Sequence, residues 1–300
     1  MRGTFENFHM THLSPFAPGD LFLTASTLDE SARFPTGMGK ILQVASDWTP
    51  KATFETGHRG LISSLCLDTA GNLHALDPQA RTITTIGPDG QPKPMFEALK
   101  PRAYGSMIAL TDGNFLIGEH MVGQIPGFSG DGKVYRVDAS GTTLATYNTE
   151  TNGGMGGFLG VTHMAGSTDG KTLFHTSETG AHIYAHDLES DKRLGAVYTR
   201  QDPPPMVFGI AGLPGGTLLV AGGNGIREIA PGKGEVRSYA VPEGRGWAVP
   251  VVRSGGNEFW ALDFFGGKVA RIETTSGKVI DVKELGLAKC LTGIAEVPAG

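Results

Sequence analysis

The chain has 300 residues, of which 39% are hydrophobic and 18% charged, which excludes an intrinsically disordered or highly charged protein. A net charge of −5 without a run of lysine or arginine argues against nucleic-acid binding, which needs clustered basic residues. The 45 glycines and 18 prolines follow no three-residue period, so they indicate many tight turns rather than collagen.

The N-terminal residues contain no apolar stretch of signal-peptide length, and no stretch approaches the length of a membrane helix. Cys66 and Cys290 are the only cysteines and show no CxxC spacing, so a disulfide framework is not indicated. We therefore expect a cytoplasmic protein that binds no membrane. Its oligomeric state stays open.

Six short apolar segments follow glycine-containing turns along the chain. These are residues 21–26, 73–78, 115–120, 173–178, 218–223 and 259–264. Successive turn glycines are separated by between 40 residues (Gly216 to Gly256) and 57 residues (Gly113 to Gly170). Repeats of this size fit four short strands each, which is the size of a β-propeller blade.

A strand of alternating apolar and polar residues follows each of these segments. The six are residues 40–45, 81–86, 133–138, 182–187, 225–230 and 268–273. A polar turn and a further strand come next, for example at residues 143–147 and 236–241. Because no useful segment has helical periodicity, we expect residues 1–300 to form a single all-β domain.

The end of the chain repeats an earlier segment. Residues 292–300 (TGIAEVPAG) match residues 208–216 (FGIAGLPGG), which form the first strand and turn of the predicted fifth blade. We expect this last strand to be the innermost strand of the first blade, because that closure removes open sheet edges. The sequence thus predicts a six-bladed β-propeller with four antiparallel strands per blade.

The recurring pattern is G-I-A, a D-G-like turn, L-x-V-x-D and then K-V-x-R-I. It resembles that of the NHL and SMP-30/gluconolactonase-like group of six-bladed propellers. The resemblance implies a ligand site at the channel mouth where the inner strands begin. Lactonases of that group bind Ca²⁺ through E-G-P-like and P-N-G-like motifs. Both motifs are absent from this sequence, which argues against the usual calcium site.

Three candidate catalytic residues fall at this predicted mouth. Glu119 and His120 end the second strand of the third blade, and His163 enters the fourth blade. Carboxylate and imidazole groups can bind a divalent metal, with Glu178 as a further ligand, or form a general base with its orienting partner. The alternative is a set of partly buried histidines that hydrogen-bond to the backbone.

The predicted substrate-binding residues are His58, Arg59, Tyr104, Phe208, Trp247 and Asp263. The first two open the predicted second blade and suit a substrate anion, and the three aromatics suit apolar walls. Asp263 shares its repeat position with Asp77. Such acids either line a cation site or accept hydrogen bonds in the following turn. Two long loops, at residues 27–39 and 121–132, lie on the same face.

Two functions remain open at this point. The first is an enzyme that acts on a small organic substrate, by hydrolysis of a lactone or ester or by elimination, with one divalent metal ion as a possible cofactor. The second is a non-catalytic propeller that binds a protein partner or a metabolite. We expect no nucleotide or organic cofactor, because no P-loop or Rossmann motif occurs in a suitable context.

Overall fold

The computed structural model describes residues 12–32, 34–96, 99, 102–120, 123–124, 129–152, 158–177, 180–222, 225–244 and 246–299. No helix among the described residues is long and apolar enough to span a membrane. Six four-stranded antiparallel sheets form a ring, which confirms the predicted all-β fold with six blades.

The strands follow each other from the first blade to the sixth. The first blade contains β1 (Leu21–Leu28), β2 (Gly37–Val44) and β3 (Pro50–Gly60). The second contains β4 (Ser64–Leu67), β5 (Leu73–Asp77), β6 (Thr82–Ile86) and β7 (Pro92–Lys93). In the third, β8 (Tyr104–Ala109) and β9 (Phe115–Glu119) are followed by β10 (Gly123–Gln124), which lies outside the blade, and by β11 (Ser129–Val137) and β12 (Thr143–Asn152).

The remaining strands complete the ring. β13 (Phe158–Leu159) pairs with β10, and the fourth blade contains β14 (His163–Gly166), β15 (Thr172–Thr176), β16 (His182–Asp187) and β17 (Lys192–Thr199). The fifth contains β18 (Ile210–Gly212), β19 (Leu218–Gly222), β20 (Gly225–Ala230) and β21 (Gly234–Tyr239). The sixth contains β22 (Trp247–Val252), β23 (Glu258–Asp263), β24 (Lys268–Glu273) and β25 (Val279–Glu284), and β26 (Ile294–Glu296) follows.

The last strand closes the ring as predicted. β26 pairs antiparallel with β1, with Leu21 opposite Glu296 and Leu23 opposite Ile294, so it is the innermost strand of the first blade. Thr24 holds the chain that leads into β26, because its buried Oγ1 donates to the Cys290 carbonyl at 3.0 Å. The same oxygen accepts the Thr292 N–H at 2.7 Å and the Gly293 N–H at 3.0 Å.

The second strand of a blade is buried on both faces, which explains its run of apolar residues. In β1, Leu21 and Leu23 pack against the sixth blade, whereas Phe22 packs against the second blade. Among the described residues, buried apolar side chains form six such clusters, each between two neighbouring blades. Packing between blades therefore supplies the core and holds the inner strands around the central channel.

The hairpins between the third and fourth strands of the first three blades share a turn in which the fourth residue has a positive φ. In the second and third blades the fourth residue of this five-residue turn is Gly90 or Gly141, with φ of 80° and 85°. In the first blade the turn has the same two hydrogen bonds, between residues 45 and 49 and between 45 and 48. Its fourth residue is Trp48, with φ of 71°, a region that favours glycine and is strained for a bulky side chain.

We expect Thr24→Val to destabilise the ring, because it leaves two buried N–H groups and one carbonyl near the closing strand without their partner. The expected loss in the free energy of unfolding is about 2–4 kcal/mol, measured by urea denaturation. Thr143→Val, at an exposed position of β12, is the matched control and should change stability by less than about 0.5 kcal/mol. Equal losses in the two variants would contradict the role assigned to Thr24.

Candidate functional site

The central channel contains a cavity of about 310 Å³ lined by the inner strands of all six blades. At the mouth, where the inner strands begin, its wall carries Ser63, Ser106, His163 and Thr292. Apolar residues such as Met107 and Val249 line the cavity further along the strands. Among the described residues that line the cavity there is no lysine, arginine, aspartate or glutamate, so this site suits an uncharged ligand.

Ser106 differs from Ser63 and Thr292 of this wall in its hydrogen bonding. Ser63 donates to the Gly105 carbonyl at 2.8 Å, and Thr292 donates to the Ile62 carbonyl. The Ser106 side chain is 4% exposed, and its Oγ has no hydrogen-bond partner among the described residues. A buried hydroxyl without a partner costs about 1–3 kcal/mol, so a turn of the Ser106 side chain into the cavity would offer a donor to a ligand carbonyl.

A β-bulge at Gly105 sets the direction of Ser106. The pairing of β8 with β9 shifts between Tyr104, opposite Glu119, and Ser106, opposite Gly118. A Cβ atom at Gly105 would lie 2.7 Å from the Cβ of His120, so only glycine fits there without movement. Bulges of this kind turn a side chain toward a site at the expense of regular pairing.

His163 lies in the wall of the same cavity. It is the first residue of β14, pairs with Thr176 of β15 and is half-buried. The structure thus places one predicted catalytic residue, His163, and Ser106 in the wall of one cavity. The Ser106 Oγ and both ring nitrogens of His163 are buried in that wall.

Glu119 and His120 point to opposite sides of their strand. The Oε2 atom of Glu119 accepts a hydrogen bond from the Tyr135 hydroxyl at 3.0 Å. Arg102 donates to the same hydroxyl and lies over the Tyr135 ring, 5.1 Å from its centroid. Burial and the Glu119 carboxylate raise the pKa of Tyr135 to about 12, so the hydroxyl stays protonated. Glu119 is therefore held in the interface between the second and third blades.

His120 lies on the side of the fourth blade. Its side chain is buried, and a Cβ at Gly160 would lie 2.7 Å from its Cα. Glu119 contacts Tyr135 toward the second blade, whereas His120, which follows the end of β9, lies beside Gly160 on the side of the fourth blade. The predicted pair of Glu119 and His120 therefore does not converge. Glu178 lies outside the described residues.

The structure offers no complete ligand set for the predicted divalent ion within its described part. Among the described residues, no group of three or more His, Cys, Asp or Glu side chains is arranged to hold a metal ion. Binding through Glu119, His120, His163 and Glu178 therefore stays a prediction.

The two acids at the ends of β5 and β23 accept hydrogen bonds in the turns that follow them. The Oδ1 of Asp77 accepts the Ala80 N–H at 2.9 Å, and the Oδ1 of Asp263 accepts the Gly266 N–H at 2.9 Å. Both side chains are buried, and burial raises the pKa of Asp77. These contacts match the structural alternative for this repeat position, and neither residue lines the channel cavity.

His58 and Arg59 lie at the rim and not at the entry to the second blade. They belong to β3, the outermost strand of the first blade, because this strand extends to Gly60 and pairs Arg59 with Met38. Both side chains are exposed, and Arg59 forms an ion pair with Asp29.

The predicted aromatic residues separate into two groups. Tyr104 and Trp247 are each 2% exposed and pack between blades, where Tyr104 donates to the Leu99 carbonyl at 3.0 Å and Trp247 to the Pro242 carbonyl at 3.0 Å. Phe208 is half-buried at the mouth. Substrate contact by these residues stays a prediction.

Sequence reasoning missed Arg200, which is 2% exposed and follows β17. Its Nη1 donates to the carbonyl of Gly222, the last residue of β19, at 2.7 Å, and Asp202 lies 3.4 Å from Nη2. Burial lowers the pKa of Arg200. In the sequence, Arg200 directly precedes the proline-rich residues 201–205. Because such a segment looks like an ordinary polar loop, it did not indicate that the arginine is buried.

Comparison with known proteins supports the fold. No family model and no curated protein matches the chain. A solved protein of unknown function from Bacteroides caccae has 16% identity and a TM-score of 0.66, covering 94% of this chain and 99% of that chain. Virginiamycin B lyase from Staphylococcus aureus, a catalytically inactive variant with quinupristin, has 16% identity and a TM-score of 0.57, covering 95% of each chain.

A chain of the nidogen/laminin complex is similar at 14% identity with a TM-score of 0.62, covering 94% of this chain and 99% of that chain. Identities this low show a shared fold alone. The comparisons therefore support a six-bladed β-propeller, and membership of the NHL or SMP-30 group stays a prediction.

His175 shows how burial changes a histidine near this mouth. The side chain is 1% exposed in β15, and its Nε2 donates to the Glu150 carbonyl at 2.7 Å. The ring stacks on Tyr184, with centroids 5.6 Å apart. Burial lowers the pKa of His175 from 6.5 to about 4, so the folded protein keeps this ring neutral.

The unfolded chain binds a proton at His175 near pH 6.5 and the folded chain near pH 4, so stability falls as the pH drops between these values. Lowering the pH from about 7 to about 5 is expected to cost about 2 kcal/mol through this group. In His175→Gln the pH-dependent loss, measured by urea unfolding, should shrink by this amount. His58→Gln, at an exposed histidine, is the control and should behave like the unmodified protein. An unchanged pH dependence in His175→Gln would contradict the lowered pKa assigned to His175.

Proposed function

We propose that the protein is an enzyme that binds a small, uncharged organic substrate at the channel mouth. It acts there on an ester or lactone, by hydrolysis or by elimination. The observation that carries the proposal is that Ser106 and His163 line the same cavity and that the buried Ser106 hydroxyl has no hydrogen-bond partner among the described residues. A hydrogen-bond donor and a group able to accept a proton are the two elements that such a reaction needs.

The cavity supports this substrate class by its size and its charge. A volume of about 310 Å³ is at the lower end for small-molecule sites. A substrate carboxylate or ammonium group would lose its hydration here without a counter-charge on the wall, which is unfavourable. An ester carbonyl can instead accept the Ser106 hydrogen bond, with its apolar part against Met107 and its neighbours.

The two reactions differ in the proton that His163 removes. In elimination, His163 takes a proton from the carbon next to the one that bears the ester oxygen. The released electron pair forms a C=C bond, the C–O bond breaks and the oxygen leaves as a carboxylate. In hydrolysis, His163 takes a proton from water, the water oxygen adds to the carbonyl carbon, and the leaving oxygen receives the proton when its C–O bond breaks. In hydrolysis Ser106 stabilises the charge that develops on the carbonyl oxygen.

The relatives justify testing elimination beside hydrolysis. Virginiamycin B lyase, a propeller of the same fold, is a lyase and was solved with quinupristin. A second lyase, described as streptogramin B lyase, has 16% identity and a TM-score of 0.56 over 91% of this chain and 86% of that chain. These names concern those proteins, and for this chain they suggest which substrates to try first.

The test is turnover of a panel of simple lactones and aryl esters, followed by mass spectrometry. Quinupristin, which is much larger and carries basic amines, is a separate probe of elimination. Hydrolysis adds the mass of one water to the products, whereas elimination leaves the summed mass unchanged. We expect His163→Ala to lower turnover about 100-fold or more, because it removes the general base. His182→Ala is the control, since His182 lies in the third strand of the same blade and outside the cavity wall.

Ser106→Ala separates a functional hydroxyl from a structural one. We expect turnover to fall by about 10- to 100-fold, and the melting temperature to stay unchanged or rise because a buried hydroxyl without a partner is removed. Full activity of His163→Ala on a substrate that the protein turns over would refute the site. A panel without turnover, combined with capture of a protein partner, would favour the non-catalytic alternative.

The predicted divalent ion is tested on the same samples by plasma mass spectrometry after exhaustive dialysis. A stoichiometric metal in the unmodified protein that is lost in His163→Ala and kept in His182→Ala would support ligation at this mouth. A metal kept in both variants would place it elsewhere.

A further inference from the structure

A second cavity lies on the opposite face of the ring, between the first and sixth blades. It has a volume of about 230 Å³. Its wall includes Trp48, Arg253, Trp260, Arg271, Lys283 and Glu296. Trp48 lies in the hairpin after β2 of the first blade, and Glu296 ends β26. The other four residues lie in strands of the sixth blade or in the turn after β22. The cavity therefore exists only in the closed ring.

The backbone at Trp48 gives the first sign that this cavity binds a ligand. Trp48 has the φ of 71° that glycine provides in the same hairpin of the next two blades. The turn itself therefore does not require a tryptophan, and the left-handed region costs a bulky residue about 1–2 kcal/mol. The indole is half-buried in the cavity wall, edge-on to Trp260, with ring centroids 5.7 Å apart. A strained residue held by its surroundings is often part of a functional site.

The acids of the wall already have partners. Glu296 binds Arg253 through two bonds of 2.7 and 2.5 Å and accepts the Trp260 Nε1–H at 3.1 Å. Asp47 accepts the N–H of Thr49 in its own turn at 2.9 Å. Asp281 forms an ion pair with Lys283 at 3.4 Å. Arg253 and Glu296 thus neutralise each other across the junction of the sixth and first blades.

Arg271 is the exception among these charged groups. Its guanidinium forms no hydrogen bond with the described residues, and Nε is buried. Its Nε forms an ion pair with Glu258 at 3.9 Å, which is beyond hydrogen-bond distance. Its side chain is 32% exposed, with the guanidinium carbon 6.0 Å from the centroid of the Trp260 ring. An arginine fixed in this way offers a planar set of donors to a ligand.

We propose that this cavity binds a small monocarboxylate with an apolar body, with the carboxylate on Arg271 and the apolar part against Trp48. The pairing of a planar guanidinium with a carboxylate supplies the charge-assisted hydrogen bonds that Arg271 lacks within the described protein. A dianion such as a phosphate ester fits less well, because Asp47, Asp281 and Glu296 also line the wall. The volume holds a ligand the size of a substituted aromatic ring.

The test is isothermal titration of the full chain at low salt with phenylacetate. Phenylacetamide replaces the charge by a neutral amide of the same shape, and phenyl phosphate replaces it by a dianion. We expect saturable 1:1 binding of phenylacetate and at least about tenfold weaker binding of both analogues. His163→Ala should leave the affinity unchanged, which separates this site from the channel mouth.

Two variants locate the binding. Arg271→Gln should weaken phenylacetate binding at least about tenfold. Trp48→Gly should weaken it by a similar factor while the protein stays folded, since glycine suits the backbone angle at this position. Arg136→Gln, at an arginine of the third blade that pairs with Asp112, is the matched control and should bind like the unmodified protein. No saturable binding at millimolar phenylacetate, equal binding of phenylacetamide, or unchanged affinity in Arg271→Gln would each overturn the proposal.

Discussion

The pairing of the last strand with the first blade is the constraint on which the rest of this structure depends. β26 provides the innermost strand of a blade whose other three strands lie at the opposite end of the sequence. Both cavities lie along elements that this closure fixes. Thr292 brings a hydroxyl to the channel mouth, and Glu296 anchors Arg253 at the opposite face. Because blades pack on their neighbours, an open ring would leave the apolar cluster between the sixth and first blades half-exposed.

The cavities on the two faces of the ring differ in the charge of the side chains that line them. The channel mouth is built from hydroxyls, one histidine and backbone, and its acids, such as Asp263, are turned into the loops between strands. The wall of the opposite cavity contains two indoles together with basic and acidic side chains. Most of these charged side chains form ion pairs with each other. The two proposed sites lie at opposite ends of the inner strands, so an uncharged molecule at one and an anion at the other would not compete for the same residues.

The repeat in the sequence was sufficient to predict strand order and closure, because apolar runs and turn glycines report burial and backbone angles directly. Side-chain direction was harder to predict. Glu119 and His120 look like a pair in sequence, yet a strand sends neighbours to opposite faces, and one joins Tyr135 while the other lies beside Gly105. The Gly105 bulge that redirects Ser106 also leaves no signature in a single sequence. Likewise, Trp48 and Arg271 share a cavity although more than 200 residues separate them.

The closure through β26 also has a consequence for the chain while it is being synthesised. Ribosomes synthesise a chain from its N-terminus, so β1 is made more than 260 residues before its inner neighbour β26. Until then the first blade has three strands, and the β1 edge offers unpaired backbone groups to any other strand nearby. The nascent protein must therefore keep this edge away from other chains until β26 has been made, and a chain that stops before β26 would leave the edge unpaired.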